Sequence, residues 1–118
     1  EIGERLGRPP RLVCFWKLGV LDWLYHLPAE VLAGNPFLET IRALAEHDRK
    51  TNGDLVRTLD AYLEHGGALA DAAASLNVHR NTLLYRIGRI EEITGIDLKD
   101  AGQRLNLHVA LKAHLLRR

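Results

Sequence analysis

Apolar residues recur at helical spacing along most of this chain. The cleanest case is Asp54 to His65. There Leu55, Val56, Leu59, Tyr62 and Leu63 share one stripe, and Arg57, Asp60 and Glu64 lie opposite. Upstream, Phe37 to about Arg49 puts Ile41, Leu44 and Ala45 on one side, and Gly19 to Leu27 reads as a helix limited by Pro28. Leu12 to Trp16 is an apolar run too short to separate a strand from the start of a helix. Downstream, the pattern predicts a short alanine-rich helix over Leu69 to Leu76, a longer one over His79 to about Ile93, and a last one over Ala101 to about Leu116.

Breakers fall between these segments. Gly34-Asn35-Pro36, Thr51-Asn52-Gly53 and Gly66-Gly67 interrupt the pattern, and Gly95 is a natural helix stop. Asn52 and Asp100 are each placed to cap the helix that follows. Ile96 to Lys99 reads as a loop, with Ile96 packing back on the preceding helix. Glu1 to Pro10 is polar and rich in Gly and Pro, and reads as a tail or linker. Six or so helices with short connections predict an all-α helical bundle.

Residues 68–92 meet the demands of a helix-turn-helix. The first helix must approach the second closely, which favours alanine at the crossing, and a tight turn must join them. Ala72 and Ala73 are the small crossing residues, Asn77 tolerates the left-handed turn, and Val78 is an apolar plug after it. In the second helix Leu83, Leu84, Ile87 and Ile90 share one face, with Asn81, Thr82, Tyr85 and Arg89 opposite. Arg86 lies beside that outer face and Arg80 in the first turn. Such a face suits a major groove: Arg bonds guanine bidentately or grips phosphate, Asn reads adenine, and Thr can touch a thymine methyl. The helix N-terminus adds N–H donors and partial positive charge. Glu91 and Glu92, at the far end, are expected to be withdrawn from DNA.

The run Leu55 to Glu64, then Ala72-Ala73, then Val78-His-Arg-Asn-Thr-Leu-Leu-Tyr-Arg-Ile87, then Thr94-Gly-Ile-Asp-Leu98, resembles the C-terminal domain of PucR/CdaR-type transcriptional regulators. His79-Arg-Asn-Thr-Leu83 with Tyr85-Arg86 is its most specific part. The resemblance implies a Fis-like helix-turn-helix that binds double-stranded DNA. It also implies a sensory region, absent from this chain, where an effector binds. Carried over residue by residue, the DNA-facing candidates are His79, Arg80, Asn81, Thr82, Tyr85, Arg86 and Arg89. Leu84 departs from the pattern, because a basic residue is more usual there. Gly88, in mid-helix, costs about 1 kcal/mol relative to Ala and predicts close packing at that point. On this reading residues 51–118 are the DNA-binding domain, and residues 1–50 are an N-terminal helical segment or the remnant of a preceding regulatory region.

Composition narrows the alternatives. With 47% apolar and 26% charged residues among 118, the chain can bury a core and is not disordered. No apolar run approaches the roughly 20 residues of a membrane-spanning helix, so no membrane role is expected. Net charge is only +1, but residues 1–76 carry a balance of −3 and residues 77–118 one of +4, compatible with phosphate contacts in the second half. The chain has no methionine, which predicts that it is part of a longer protein. Its single cysteine, Cys14, excludes an internal disulfide and Cys-rich zinc modules, and fits a reducing cytoplasm. No serine or cysteine nucleophile motif and no phosphate loop appears. His108 and His114 are six apart, not the three or four that would place two ligands on one helix face. No enzyme activity, metal or cofactor is therefore expected.

The last helix carries two apolar stripes. Leu105, Val109 and Leu116 form one, and Leu107, Leu111 and Leu115 the other. One stripe suits the core, and the other suits a homodimer through this helix or more core. A competing reading of the whole chain is thus an all-α interaction or dimerisation module without direct DNA contact. Trp16, Trp23 and Tyr25 cluster near the start and read first as core packing, or else as a contact with the missing sensory region.

Overall fold

A computed structural model describes residues 11–116, with side chains from residue 19 onward. Seven helices account for most of them: α1 (Arg11–His26), α2 (Ala29–Ala33), α3 (Pro36–Thr51), α4 (Leu55–Glu64), α5 (Leu69–Leu76), α6 (Arg80–Thr94) and α7 (Ala101–Leu116). No strand occurs among the described residues, and the all-α expectation holds.

The first helix is longer than the pattern predicts. The run from Leu12 to Trp16 belongs to α1, which continues through Gly19 because no breaker interrupts it. Pro28 then leads into α2, a five-residue helix with no buried side chain that the periodicity did not reveal. At the start of α3 the side chain of Asn35 accepts from the N–H groups of Phe37 (2.8 Å) and Leu38 (3.1 Å). Pro36 occupies the first helical position, where its missing donor costs nothing.

Three consecutive turns use one device. After α3, α4 and α5 a residue with positive φ (Asn52, Gly66 and Asn77) reverses the chain. The next N–H then reaches back six residues inclusive: Gly53 to the Asp48 carbonyl (3.0 Å), Gly67 to Tyr62 (2.9 Å) and Val78 to Ala73 (3.0 Å). These are Schellman closures, which satisfy the last carbonyls of each helix.

At the first of them the sequence expectation needs correction. Asn52 closes α3 at φ 54° instead of capping α4. The cap of α4 comes from Asp48, whose two carboxylate oxygens accept from the N–H groups of Leu55 and Val56, each at 2.8 Å. In the left-handed conformation Asn52 serves the helix behind it. The Schellman turn meanwhile folds the last turn of α3 back over the N-terminus of α4. Gly53 has little room there, since a Cβ would lie 3.1 Å from an Asp48 carboxylate oxygen and 2.9 Å from the Thr51 hydroxyl. The other predicted cap is in place: Asp100 accepts from the Gln103 N–H at 2.9 Å.

One core joins α3 to α7. Ile41, Leu44, Leu59, Leu83, Ile90, Leu98, Leu107 and Leu111 are completely buried in it. A smaller cluster of Leu24, Leu38 and Ala113, flanked by Val20, Leu32 and Val109, ties α1 and α2 to α3 and α7. Trp23 and Tyr25 of α1 do not join it. Trp23 is 75% exposed and Tyr25 71%, because Leu24, between them in sequence, takes the inward position. The Trp16 side chain lies outside the described residues. Leu107 and Leu111 of α7 are buried and Leu115 partly so, whereas Leu105 of the other stripe stays 59% exposed.

Candidate nucleic-acid interface

The α5–α6 pair is built as the sequence implies. Ala72, Ala73 and Leu76 turn inward from α5, and the two alanines are almost without exposed surface. Asn77 takes the left-handed conformation at φ 59°, and the half-buried Val78 packs on the core. From α6, Leu83, Ile87 and Ile90 form the buried face. The N-cap of α6 is His79, whose Nδ1 accepts from the Asn81 N–H at 3.0 Å. A ring nitrogen thus takes the place that a Ser or Asp oxygen fills in most helices. Gly95 ends the helix at φ 73°, and Ile96 is buried behind it as expected.

The candidate residues divide into two groups. His79, Arg80, Asn81, Thr82 and Tyr85 are exposed on the outer side of α6, with Tyr85 at 69%. Among the described residues Arg80 pairs with no carboxylate. Arg86 and Arg89 are half-buried and drawn toward the scaffold. Arg86 donates through Nη1 to the Thr58 hydroxyl oxygen at 3.4 Å, and the same nitrogen lies 3.9 Å from an Asp54 carboxylate oxygen. Arg89 pairs with Glu92 at 2.7 Å and approaches His47 Nε2 at 3.4 Å.

Leu84 is not on the inner face where periodicity grouped it; it is 41% exposed. Gly88 does not pack closely against anything either. A Cβ built there meets nothing within 4 Å, so the predicted reason for this glycine does not hold inside the fold.

Beyond the helix, the loop before α7 is pinned by side chains. Glu91 accepts from the Leu98 N–H at 2.9 Å, Gln103 accepts from Asp97, and Arg104 donates to the carbonyls of Leu98 and Lys99. Glu91 is thereby engaged within the fold, away from the start of α6.

Sequence reasoning missed the residues that hold α6 from behind: His47, Asp54 and Thr58. Thr58 is the one fully buried polar residue among those described, and its hydroxyl donates to the Asp54 carbonyl at 2.7 Å. A threonine on the apolar stripe of α4 was the available signal. A second polar contact lies between α4 and α7, where Lys112 pairs with Glu64 and with Asp60 (3.3 Å), and His108 Nε2 lies 3.6 Å from Glu64. Burial lowers the His108 pKa below its usual value, with Glu64 pulling the other way. For Lys112 burial acts to lower the pKa, but Glu64 and Asp60 outweigh it and the net direction is up.

A short helix rich in small residues, a left-handed turn, and a following helix that is apolar inside and polar outside define a helix-turn-helix domain. A family model described as the PucR C-terminal helix-turn-helix domain matches residues 55–113, and the chain belongs to that family. The chain is 31% identical over 101 residues to the DNA-binding transcriptional activator AdeR of Bacillus subtilis, covering 86% of this chain and 24% of that protein. It is 48% identical over 61 residues to the carbohydrate diacid regulator of Escherichia coli, covering 52% of this chain and 16% of that one. The purine catabolism regulatory protein of B. subtilis is 38% identical over 97 residues, which cover 82% and 18% of the two chains. The chain thus spans less than a quarter of the length of these three relatives. No solved structure matches it. The domain is thus the helix-turn-helix of the PucR C-terminal family.

Proposed function

We propose that α6 is the recognition helix and enters the major groove of double-stranded DNA. The observation that carries this reading is the outer side of its first two turns. His79, Arg80, Asn81, Thr82 and Tyr85 stand exposed there, on a helix anchored from behind by Leu83, Ile87 and Ile90. Arg80 and Asn81 are the base readers, while His79, Thr82 and Tyr85 supply positioning bonds to phosphate or base edges. Arg86 and Arg89 flank the face from half-buried positions, adding positive charge and holding the helix against α4 and α3. Residues 51–118 act as the DNA-binding unit, and residues 1–50 are the segment before it, in which α1 to α3 form an N-terminal support or the remnant of a preceding regulatory region.

Function on DNA places the protein in the cytoplasm of a bacterial cell, and an effector would act through a region outside residues 1–118. AdeR is named a DNA-binding activator. The same DNA partner is assigned to this domain.

A homodimer fits a second observation, the exposed apolar side chain of Leu105 on α7, beside an open groove lined by Leu32, Leu38 and Ala113. Two copies on DNA would place their recognition helices about 34 Å apart, one helical turn.

The test is duplex binding by fluorescence anisotropy at two salt concentrations, for wild type and Arg80→Ala. The expected result is affinity that falls steeply with salt and a variant that binds more weakly. Equal affinities for wild type and variant would remove the recognition-helix assignment. Salt-independent self-association without duplex binding would favour the interaction module instead.

A further inference from the structure

Two features of α6 have no explanation inside the fold. Leu84 presents an apolar side chain at 41% exposure, one turn beyond Arg80 and next to the exposed Tyr85. Gly88, one turn further on, lies in mid-helix, has an ordinary helical φ and has nothing within 4 Å of where its Cβ would be. A glycine in a helix interior is unfavourable relative to alanine, and here neither packing nor backbone conformation offsets that cost.

The two positions are four apart and therefore neighbours on one side of the helix. A helical side chain leans toward the N-terminus, over the preceding turn. A side chain at position 88 would therefore reach back toward Leu84. With glycine there the leucine stays uncovered, and the helix surface is low enough for another molecule to come close. On the helical wheel this strip borders Asn81 and Tyr85 on the exposed side of α6 and lies away from Arg86 and Arg89, which face the scaffold.

We infer that Leu84 is a specificity-determining residue that seats on the C5 methyl of a thymine in the major groove, and that Gly88 provides the clearance for that contact. The inference rests on the reading of α6 as the recognition helix. The methyl of thymine is the apolar feature that the major groove displays, and an apolar side chain recognises it by burial. An exposed leucine facing phosphates alone would gain nothing. Neighbouring Arg80 and Asn81 supply hydrogen bonds to adjacent bases, so Leu84 adds a preference that their polar chemistry does not provide.

The experiment begins with the duplex that the chain enriches from a random-sequence library. Each thymine is replaced singly by deoxyuridine, which removes the methyl and keeps the base pair. At one thymine per half-site the replacement is expected to weaken wild-type binding about fourfold, the factor that one buried methyl carries, and to leave Leu84→Ala binding unchanged. In parallel, Gly88→Ala is expected to melt about 4 °C higher, since alanine favours the helix and meets no obstacle. It should nevertheless bind the selected duplex more weakly. A variant more stable than wild type and poorer at binding cannot be explained by misfolding. Deoxyuridine effects that are the same in wild type and Leu84→Ala would overturn the inference, as would wild-type affinity in Gly88→Ala. Arg80→Ala is measured on the same duplex: if it too binds like wild type, the recognition-helix reading itself has failed, whereas a loss there shows that only the Leu84 contact is wrong.

Discussion

Arg86 of α6 donates from Nη1 to the hydroxyl oxygen of Thr58 in α4, across 3.4 Å. Thr58 has no exposed surface, and its hydroxyl is also bound to the Asp54 carbonyl. The contact therefore holds α6 at a fixed rotation on its scaffold. Arg80 has no such engagement among the described residues. The two arginines are predicted to behave differently. Arg80→Ala should leave the melting temperature near that of wild type and weaken DNA binding by about 1–3 kcal/mol, the worth of one bidentate base contact. Arg86→Ala should lower the melting temperature and weaken binding by less. Thermal melts and duplex titrations on both variants check this, and interchangeable behaviour would contradict it.

Asp48 predicts a stability effect far from DNA. Its carboxylate is the only side-chain cap that α4 receives among the described residues, because Asp54, at the N-cap position itself, turns to Arg57 at 3.0 Å. Asp48→Ala removes both bonds and should cost about 1–2 kcal/mol, the range of a strong helix cap. Asp48→Asn keeps one acceptor oxygen and should cost less. Chemical denaturation measures both. A loss in Asp48→Ala no greater than in Asn52→Gly, which removes the Asn52 side chain without straining the left-handed turn, would show that the cap has been assigned to the wrong residue.

His108 predicts acid sensitivity. Burial depresses its pKa in the fold, with Glu64 opposing, relative to a reference of 6.5. Above that pH the residue is neutral in both folded and unfolded chains and contributes no pH dependence. As pH falls below 6.5 the unfolded chain takes up a proton that the folded chain resists, so stability declines. The melting temperature should therefore fall between about pH 6.5 and pH 5, and His108→Gln should fall less over the same interval. Identical slopes in the two proteins would show that His108 does not carry the effect. Lys112 works at the opposite end: its raised pKa stabilises the fold below its ordinary value and loses that contribution as pH rises through the folded value.

The helices from α4 to α7 are legible in the sequence because their causes are local. An apolar stripe over Leu55–Leu63, a glycine pair, alanines at 72 and 73 and an asparagine at 77 act within a turn or two of where they stand. The outer face of α6 is legible for the same reason in its first turns, where His79 to Thr82 have little scaffold beside them. What periodicity cannot show is contact between segments. Asp48 caps a helix seven residues away through a turn whose shape is tertiary. Arg86 and Arg89 fall on or near the outer arc of the helical wheel, but long side chains bend back to Thr58 and His47, 28 and 42 residues earlier in the chain. Trp23 is missed in the opposite direction. Its apolar character suggests core, yet the position inside the small bundle is taken by Leu24.

The exposed apolar stripe of α7 leads to the last prediction. Leu105 is 59% exposed at one end of the helix, and Leu116 is also exposed at the other. Between them Val109 packs on the smaller cluster with Leu24 and Leu38. If this surface is covered by a second copy, an isologous contact would bring two Leu105 side chains near each other across a two-fold axis. A charge introduced at that position would then repel its own copy as well as lose apolar burial. Leu105→Glu should therefore sediment as a monomer at concentrations where wild type is dimeric. Its helical content should not change, because the side chain points away from the core of Leu107 and Leu111. On a two-half-site duplex the variant should bind more weakly than wild type, while on a single half-site the two should match. Analytical ultracentrifugation with anisotropy on both duplexes reads all of these. A wild-type chain that is monomeric at every concentration, free and on the two-half-site duplex, would remove α7 as a dimer interface.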